Sequence, residues 1–193
     1  LADFNKAIKK VLASEGGYSN DPDDIGRESY CGISRKFWPN WNGWEHIDSF
    51  KRNQFKEGVQ NNYKFKSLSL SNLVQNFYLK YFWKPLKCEQ ILNQSLAESV
   101  FDYAVNVGKK PAARSLQELV NAWTKAENRI KIDGIIGPAS LKLINNKVQE
   151  YSIIPNDFIA YRIKEYFDRC SYKPVKYKYL RGWVMRSLKH LER

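Results

Sequence analysis

One segment restricts the fold more than any other. From Leu96 to Val107 the apolar residues Leu96, Ala97, Val100, Phe101, Ala104 and Val107 leave almost no wet face at helical spacing. A helix apolar on nearly all sides has to be enclosed by other elements, so this chain needs amphipathic helices around a central one. It contains them. Phe4, Ala7, Ile8, Val11 and Leu12 recur with helical period between Asp3 and Ser14, with Asp3 where an N-cap acceptor belongs. Helical patterns return from Phe50 to Val59 and from Leu73 to Phe82. Pro111 is placed to open another, carrying Leu116, Leu119, Val120 and Trp123. The run Ile132 to Ser140 reads as a tight loop in which Pro138 starts the next helix. Two amphipathic helices follow, one with Phe158, Ile159, Ile163 and Tyr166, the other with Leu180, Trp183, Val184 and Leu188. Trp183 is expected to pack in the core rather than to bind a ligand. By contrast, Tyr18 to Ile33 is rich in Asp, Asn, Gly, Pro and Ser, which favours turns and at most a short hairpin. The expected class is therefore mainly α, with a short β-hairpin or irregular loop near the N-terminus.

Composition bounds the rest. The 193 residues suit one compact unit or two closely packed small domains, and no repeat or low-complexity linker divides them. A hydrophobic fraction of 43%, with 6 Trp, 12 Tyr and 10 Phe, is enough for a core without disulfides or a metal. Cys31, Cys88 and Cys170 are odd in number and widely spaced, which fits buried or reduced thiols and neither a zinc site nor a disulfide framework. No apolar run approaches the roughly 20 residues of a spanning helix, and the start at Leu1 runs straight into an amphipathic segment, with no signal peptide in view. The formal net charge of +12 attracts polyanions, whether nucleic acid, an anionic membrane face or the acidic polymers of a bacterial wall. Charge alone does not choose among them. A nucleic-acid partner is not expected, because the basic residues are dispersed and no zinc, RNP or Gly-rich module accompanies them.

Glu15 is the residue that points to chemistry. It lies eleven positions after Phe4, which returns it to the apolar face of the first helix. It also falls at the helix C-terminus, where the macrodipole is negative. Partial burial and the dipole both disfavour the charged carboxylate, and an acid kept neutral is what general-acid cleavage of a glycosidic bond requires. Gly16 and Gly17 are expected to stop the helix with left-handed geometry and to let a large substrate come close. The alternative is a carboxylate that caps or pairs locally.

The stretch EGGYSNDPDDIGRESYCGIS, Glu15 to Ser34, resembles the N-terminal motif of glycoside hydrolase family 108, in which a helix ends in Glu-Gly-Gly-Tyr before an Asn-Asp-Pro turn. The resemblance continues through YFWKPL (Tyr81 to Leu86), FDYAVNVGKKPAARSLQ (Phe101 to Gln117), DGIIGPASL (Asp133 to Leu141) and RGWVMRSLKHL (Arg181 to Leu191). It spans almost the whole chain, with its motifs in order. It implies a lysozyme-like helical fold, a catalytic region over residues 1–91, and a helical, predicted peptidoglycan-binding region over 92–193 packed against it. It also implies a muramidase whose catalytic glutamate falls on Glu15, cleaving between N-acetylmuramic acid and N-acetylglucosamine, with no metal and no cofactor. Such an enzyme is made in the cytoplasm and acts on peptidoglycan strands at the wall or in the periplasm, here expected as a monomer. Two departures stand out. Gly26-Arg27-Glu28-Ser29 occupies the place where the family usually shows Gly-Gly-x-Thr, and Cys31 replaces a Tyr.

A second group is needed to activate water or to stabilise the oxocarbenium ion. Phage-type lysozymes resemble this stretch more loosely, with a glutamate, eight residues, an Asp or Cys, five residues and a Thr. Glu15 and Asp24 keep the first interval, and Ser29 falls one short of the second. The resemblance thus points to Asp24, with Ser29 helping to hold a water. Asp21 and Asp23 compete in the same turn, and a loop that merely forms Asx-turns remains open. For substrate binding, Tyr18 is the first candidate, as an exposed ring for a sugar face. Asp102 and Asn106, one turn apart on the apolar central helix, either form a buried network or line the cleft. The rival readings are a lytic transglycosylase using the same glutamate, and a non-catalytic wall-binding or secretion-promoting protein on the same scaffold.

Overall fold

A computed structural model describes residues 1–21, 26–55 and 58–191. Helix α1 (Phe4–Ser14) follows the expected period: Ala7, Ile8 and Val11 are buried while Lys6, Lys9 and Lys10 face solvent. Asp3 caps it, its Oδ1 accepting from the Asn5 N–H at 2.7 Å. Three short strands come next: β1 (Tyr18–Asn20), β2 (Glu28–Tyr30) and β3 (Ile33–Ser34), antiparallel in that order. In register, Tyr18 faces Tyr30 and Tyr30 faces Ile33, so one sheet face is buried, while Ser19, Ser29 and Ser34 align on the other.

Helix α2 (Gly43–Gln54) begins seven residues before the expected Phe50 and stops short of Val59. The Trp41 and Trp44 rings, 5.2 Å apart, pack at its start, where apolar spacing alone gave no sign of a helix. Helix α3 (Leu68–Tyr78) is capped by Ser67, whose side chain accepts from Leu70 N. It loosens into a π-helical turn at Leu79–Trp83 and a 3-10 turn at Lys84–Leu86, where Pro85 cannot continue an α-helix.

The remaining helices are α4 (Gln94–Val107), α5 (Lys109–Ala122), α6 (Pro138–Glu150), α7 (Ile154–Tyr172) and α8 (Tyr177–Leu188). The expected central helix is α4, in which Leu96, Ala97, Val100, Phe101 and Ala104 are fully buried. Its Phe101 ring packs edge-on against Phe4 and Trp83 at 5.9 and 5.4 Å. Between α5 and α6, Gln117 holds the Asp133–Gly134 loop: its amide donates to Asp133 Oδ1 and accepts from Gly134 N. Gly134 has φ +80°, and a side chain there would meet Lys110, so this loop needs its glycine. Trp183 stacks on Tyr166 at 5.0 Å but is half-buried rather than enclosed in the core.

The architecture is mainly α and lysozyme-like, with the small sheet near the N-terminus. The chain divides into two compact units, one of residues 8–79 and one of residues 1–7 with 80–193. All three cysteines are free and buried.

Candidate active site

The site is built where α1 ends. Glu15 lies just past the last helical residue, yet its N–H still donates to Val11 O at 3.0 Å, and its side chain is half-buried. The two glycines that follow serve a purpose other than the expected left-handed stop. A Cβ on Gly17 would overlap the carbonyl oxygens of Asn62 and Tyr63, so only glycine lets the chain run between its neighbours here. Gly17 N donates to Asn62 Oδ1 at 2.8 Å, Tyr18 N to Tyr63 O at 2.8 Å, and Asn62 N to Tyr18 O at 2.7 Å. On the other side, Cys31 N donates to Gly17 O at 3.2 Å. The left-handed backbone falls on Asn62, with φ 69°.

The carboxylate meets a tight turn. Cys31 and Gly32, with φ 47° and 78°, form the two-residue link between β2 and β3, a conformation with both central residues left-handed. A Cβ on Gly32 would stand 2.5 Å from Glu15 Oε2 and 2.7 Å from the Tyr78 hydroxyl oxygen. That hydroxyl, on a tyrosine only 2% exposed, donates to Cys31 O at 2.6 Å. Glu15 and Tyr78 therefore flank one glycine, and the turn that separates β2 from β3 forms the floor under the acid. Burial pushes the Cys31 thiol up despite nearby Lys64; it stays a thiol, and a thiol is not the nucleophile.

Tyr18 is not the exposed sugar platform that the sequence promised. It is 3% exposed. Its position in β1 places it on the buried sheet face, with its ring edge-on to Phe65 and its hydroxyl donating to Glu28 Oε1 at 2.8 Å. Glu28 also accepts from Arg35 and Lys51, each at 2.8 Å, and Arg35 grips Asp48 with both terminal nitrogens at 2.8 and 2.6 Å. Burial would raise the Glu28 carboxyl, but these donors outweigh it and hold it below the usual range. The web ties the sheet to α2. Beside it an open hollow of about 490 Å³ is lined by Tyr18, Ser19, Asn20, Asp21 and Lys51; Glu15 is not among its walls.

Ser29 sits at the middle of β2, half-buried between Ser19 and Ser34. Asp24, with its competitor Asp23, lies outside the described residues; Asp21 is exposed. Arg27, where the family pattern has glycine, adopts φ 49°, the conformation glycine would take without strain.

Asp102 belongs to a buried network. It receives Arg162 from α7 at 2.7 Å and Arg186 from α8 at 2.7 Å, with His190 at 3.5 Å. Burial alone would raise this carboxyl, but His190, Arg162 and Arg186 hold it well below the usual range. Of the two roles open to it, the structure shows the one that binds α4, α7 and α8 together. Asn106, one turn on, is half-buried.

The residues missed in the sequence are Tyr78, Gly32 and Asn62. Tyr78 reads as one more apolar position of α3, and its hydroxyl finds its acceptor 47 residues away. The one available signal was that a buried tyrosine hydroxyl requires a partner.

The sequence model described as glycosyl hydrolase 108 matches residues 8–108, which takes in Glu15, the sheet and α2 to α4. The chain belongs to this glycosyl hydrolase 108 family. No curated protein matches it significantly. Among solved structures, one titled "Structure of Brucella abortus SagA" superposes with a TM-score of 0.63 at 17% identity, covering 97% of this chain and 90% of that one. At that identity the likeness concerns the fold. Within this glycosyl hydrolase 108 member, the acid of the Glu-Gly-Gly-Tyr motif is the one seated against Gly32.

Proposed function

We propose that the protein is a peptidoglycan hydrolase of the muramidase type, with Glu15 as its general acid. The observation that carries this reading is the half-buried Glu15 carboxylate, held at the end of α1 against the Cys31–Gly32 turn, in a chain of a glycoside hydrolase family. A side chain seated on glycine backbone keeps a fixed position while leaving room for a polymer above it.

In the step proposed, Glu15 gives its proton to the oxygen bridging N-acetylmuramic acid and N-acetylglucosamine as the bond from that oxygen to the anomeric carbon breaks. Water adds to the anomeric carbon and loses a proton to a second carboxylate, leaving a free reducing end. Asp24, nine residues after Glu15, is assigned that second role, and Ser29 on β2 a part in holding the water. The net charge of +12 is compatible with an acidic wall polymer. In the second unit an open hollow of about 660 Å³, lined by Trp123, Tyr151, Lys125, Lys142 and Asn128, offers an aromatic and cationic surface for holding the polymer. The protein's place of action in this reading is the bacterial wall.

The test is digestion of purified sacculi by wild type and Glu15→Gln, with the products weighed by mass spectrometry. Reducing muropeptides from wild type and none from the variant, at unchanged melting temperature, are expected. Anhydro products would make it a lytic transglycosylase, and equal lysis by the variant would remove Glu15 from the chemistry.

A further inference from the structure

The last helix presents a surface that hydrolysis does not use. On α8 the side chains of Leu180, Trp183, Val184 and Ser187 turn inward at helical spacing, and His190 just beyond the helix is buried as well. The outer side, from the flank of that stripe round to its back, carries Tyr177, Lys178, Arg181, Met185 and Leu188, with Lys189 at the C-cap, all exposed. Met185 is 55% and Leu188 40% exposed. The turn leading into the helix adds Tyr172 and Val175, at 88% and 72%. From Arg169 to Leu191, Arg169 included, there are seven lysines and arginines and no aspartate or glutamate. The acids at the end of the neighbouring α7, Glu165 and Asp168, are engaged by Lys164.

Cations and uncovered apolar side chains mixed on one helical face fit a particular solvent. A wholly aqueous polyanion would reward the lysines and arginines but leave Met185, Leu188 and Tyr177 wet. An interface with lipid head groups above and acyl chains below satisfies both sets. No described helix is long and apolar enough to cross a membrane, so the helix would lie on the surface.

We propose that α8 and the turn before it dock this protein onto an anionic lipid bilayer. The apolar side chains enter the head-group boundary while Lys178, Arg181 and Lys189 pair with lipid phosphates. This attachment is independent of the hydrolytic reading, since it uses no residue of the candidate active site.

The experiment is co-sedimentation of the full chain with vesicles of phosphatidylglycerol and phosphatidylethanolamine, against vesicles of phosphatidylcholine alone. Binding to the first and little to the second is expected. Arg181→Gln with Lys189→Gln should weaken it roughly 25-fold, at about fivefold per charge. Met185→Ser with Leu188→Ser should weaken it about tenfold. All four side chains are exposed, so melting temperatures should not move, and circular dichroism checks this. No binding to the anionic vesicles, equal binding to phosphatidylcholine, or binding unaffected by the two serines would each overturn the proposal. The last outcome would leave only attraction to polyanions.

Discussion

The Glu15 carboxylate and the Tyr78 hydroxyl converge on the α-carbon of Gly32, and neither position leaves room for a methyl group there. Gly32→Ala therefore meets two penalties. A left-handed alanine costs about 1–2 kcal/mol, and its Cβ would displace the acid by a fraction of an ångström or more. Wall-clearing activity is expected to fall on the order of a hundredfold, since a misplacement of about 1 Å can cost that much. Lytic rate and thermal melting, measured on the same preparation, check it; an active Gly32→Ala enzyme would mean that Glu15 is not held by this turn.

Tyr78→Phe keeps the ring and removes only the hydroxyl that donates to Cys31 O. The loss of a buried hydrogen bond should cost about 1–3 kcal/mol of stability. Because that bond steadies the turn under Glu15, the catalytic rate should drop about tenfold while substrate affinity changes little. A split of kcat against KM on soluble glycan fragments reads this out, and an effect confined to KM would contradict it.

Arg27 stands in a left-handed conformation that costs a bulky side chain and suits glycine. Arg27→Gly should raise stability by about 1 kcal/mol in chemical denaturation, although it removes a side chain and adds no contact. A destabilised variant would show that the side chain holds the loop.

Asp102→Asn leaves Arg162 buried without its counter-charge. Breaking a buried pair from one side costs about 3–5 kcal/mol, and urea titration should show a loss of that size. A carboxyl lowered in the folded state stabilises it above the unfolded value and ceases to do so as pH falls through the lowered one. The wild-type advantage over Asp102→Asn should accordingly persist through mildly acidic conditions and shrink only in strong acid. Glu28, also lowered but less buried, follows the same sign, and Glu28→Gln should cost about 1–2 kcal/mol near neutrality.

What could be read from the chain follows the range of the interactions. The α1 helix and the enclosed α4 were legible because their causes lie within a few residues: apolar period, an N-cap, the lack of a wet side. The acid at the end of α1 was legible for the same reason. Tyr18 was misjudged because strand alternation, not loop exposure, governs it, and Glu28 and Phe65, which enclose it, come from distant segments. The role of Gly17 depends on Asn62 and Tyr63, and that of Gly32 on Tyr78, so neither pairing leaves a mark in the local pattern. The early start of α2 went unseen because Trp41, just before it, and Trp44 within it pack on one another without producing a helical stripe.

Phe4 has a consequence for how the molecule can be taken apart. Its ring lies 5.6 Å from Trp83 and joins the cluster around Phe101, so the larger unit is discontinuous in sequence. A fragment starting at Lys80 would lack the wedge that closes this cluster, and should be prone to aggregate unless a peptide covering residues 1–7 is supplied in trans. Residues 1–7 must therefore wait for the helices of residues 80–193 that receive them, while residues 8–79 form a compact unit of their own.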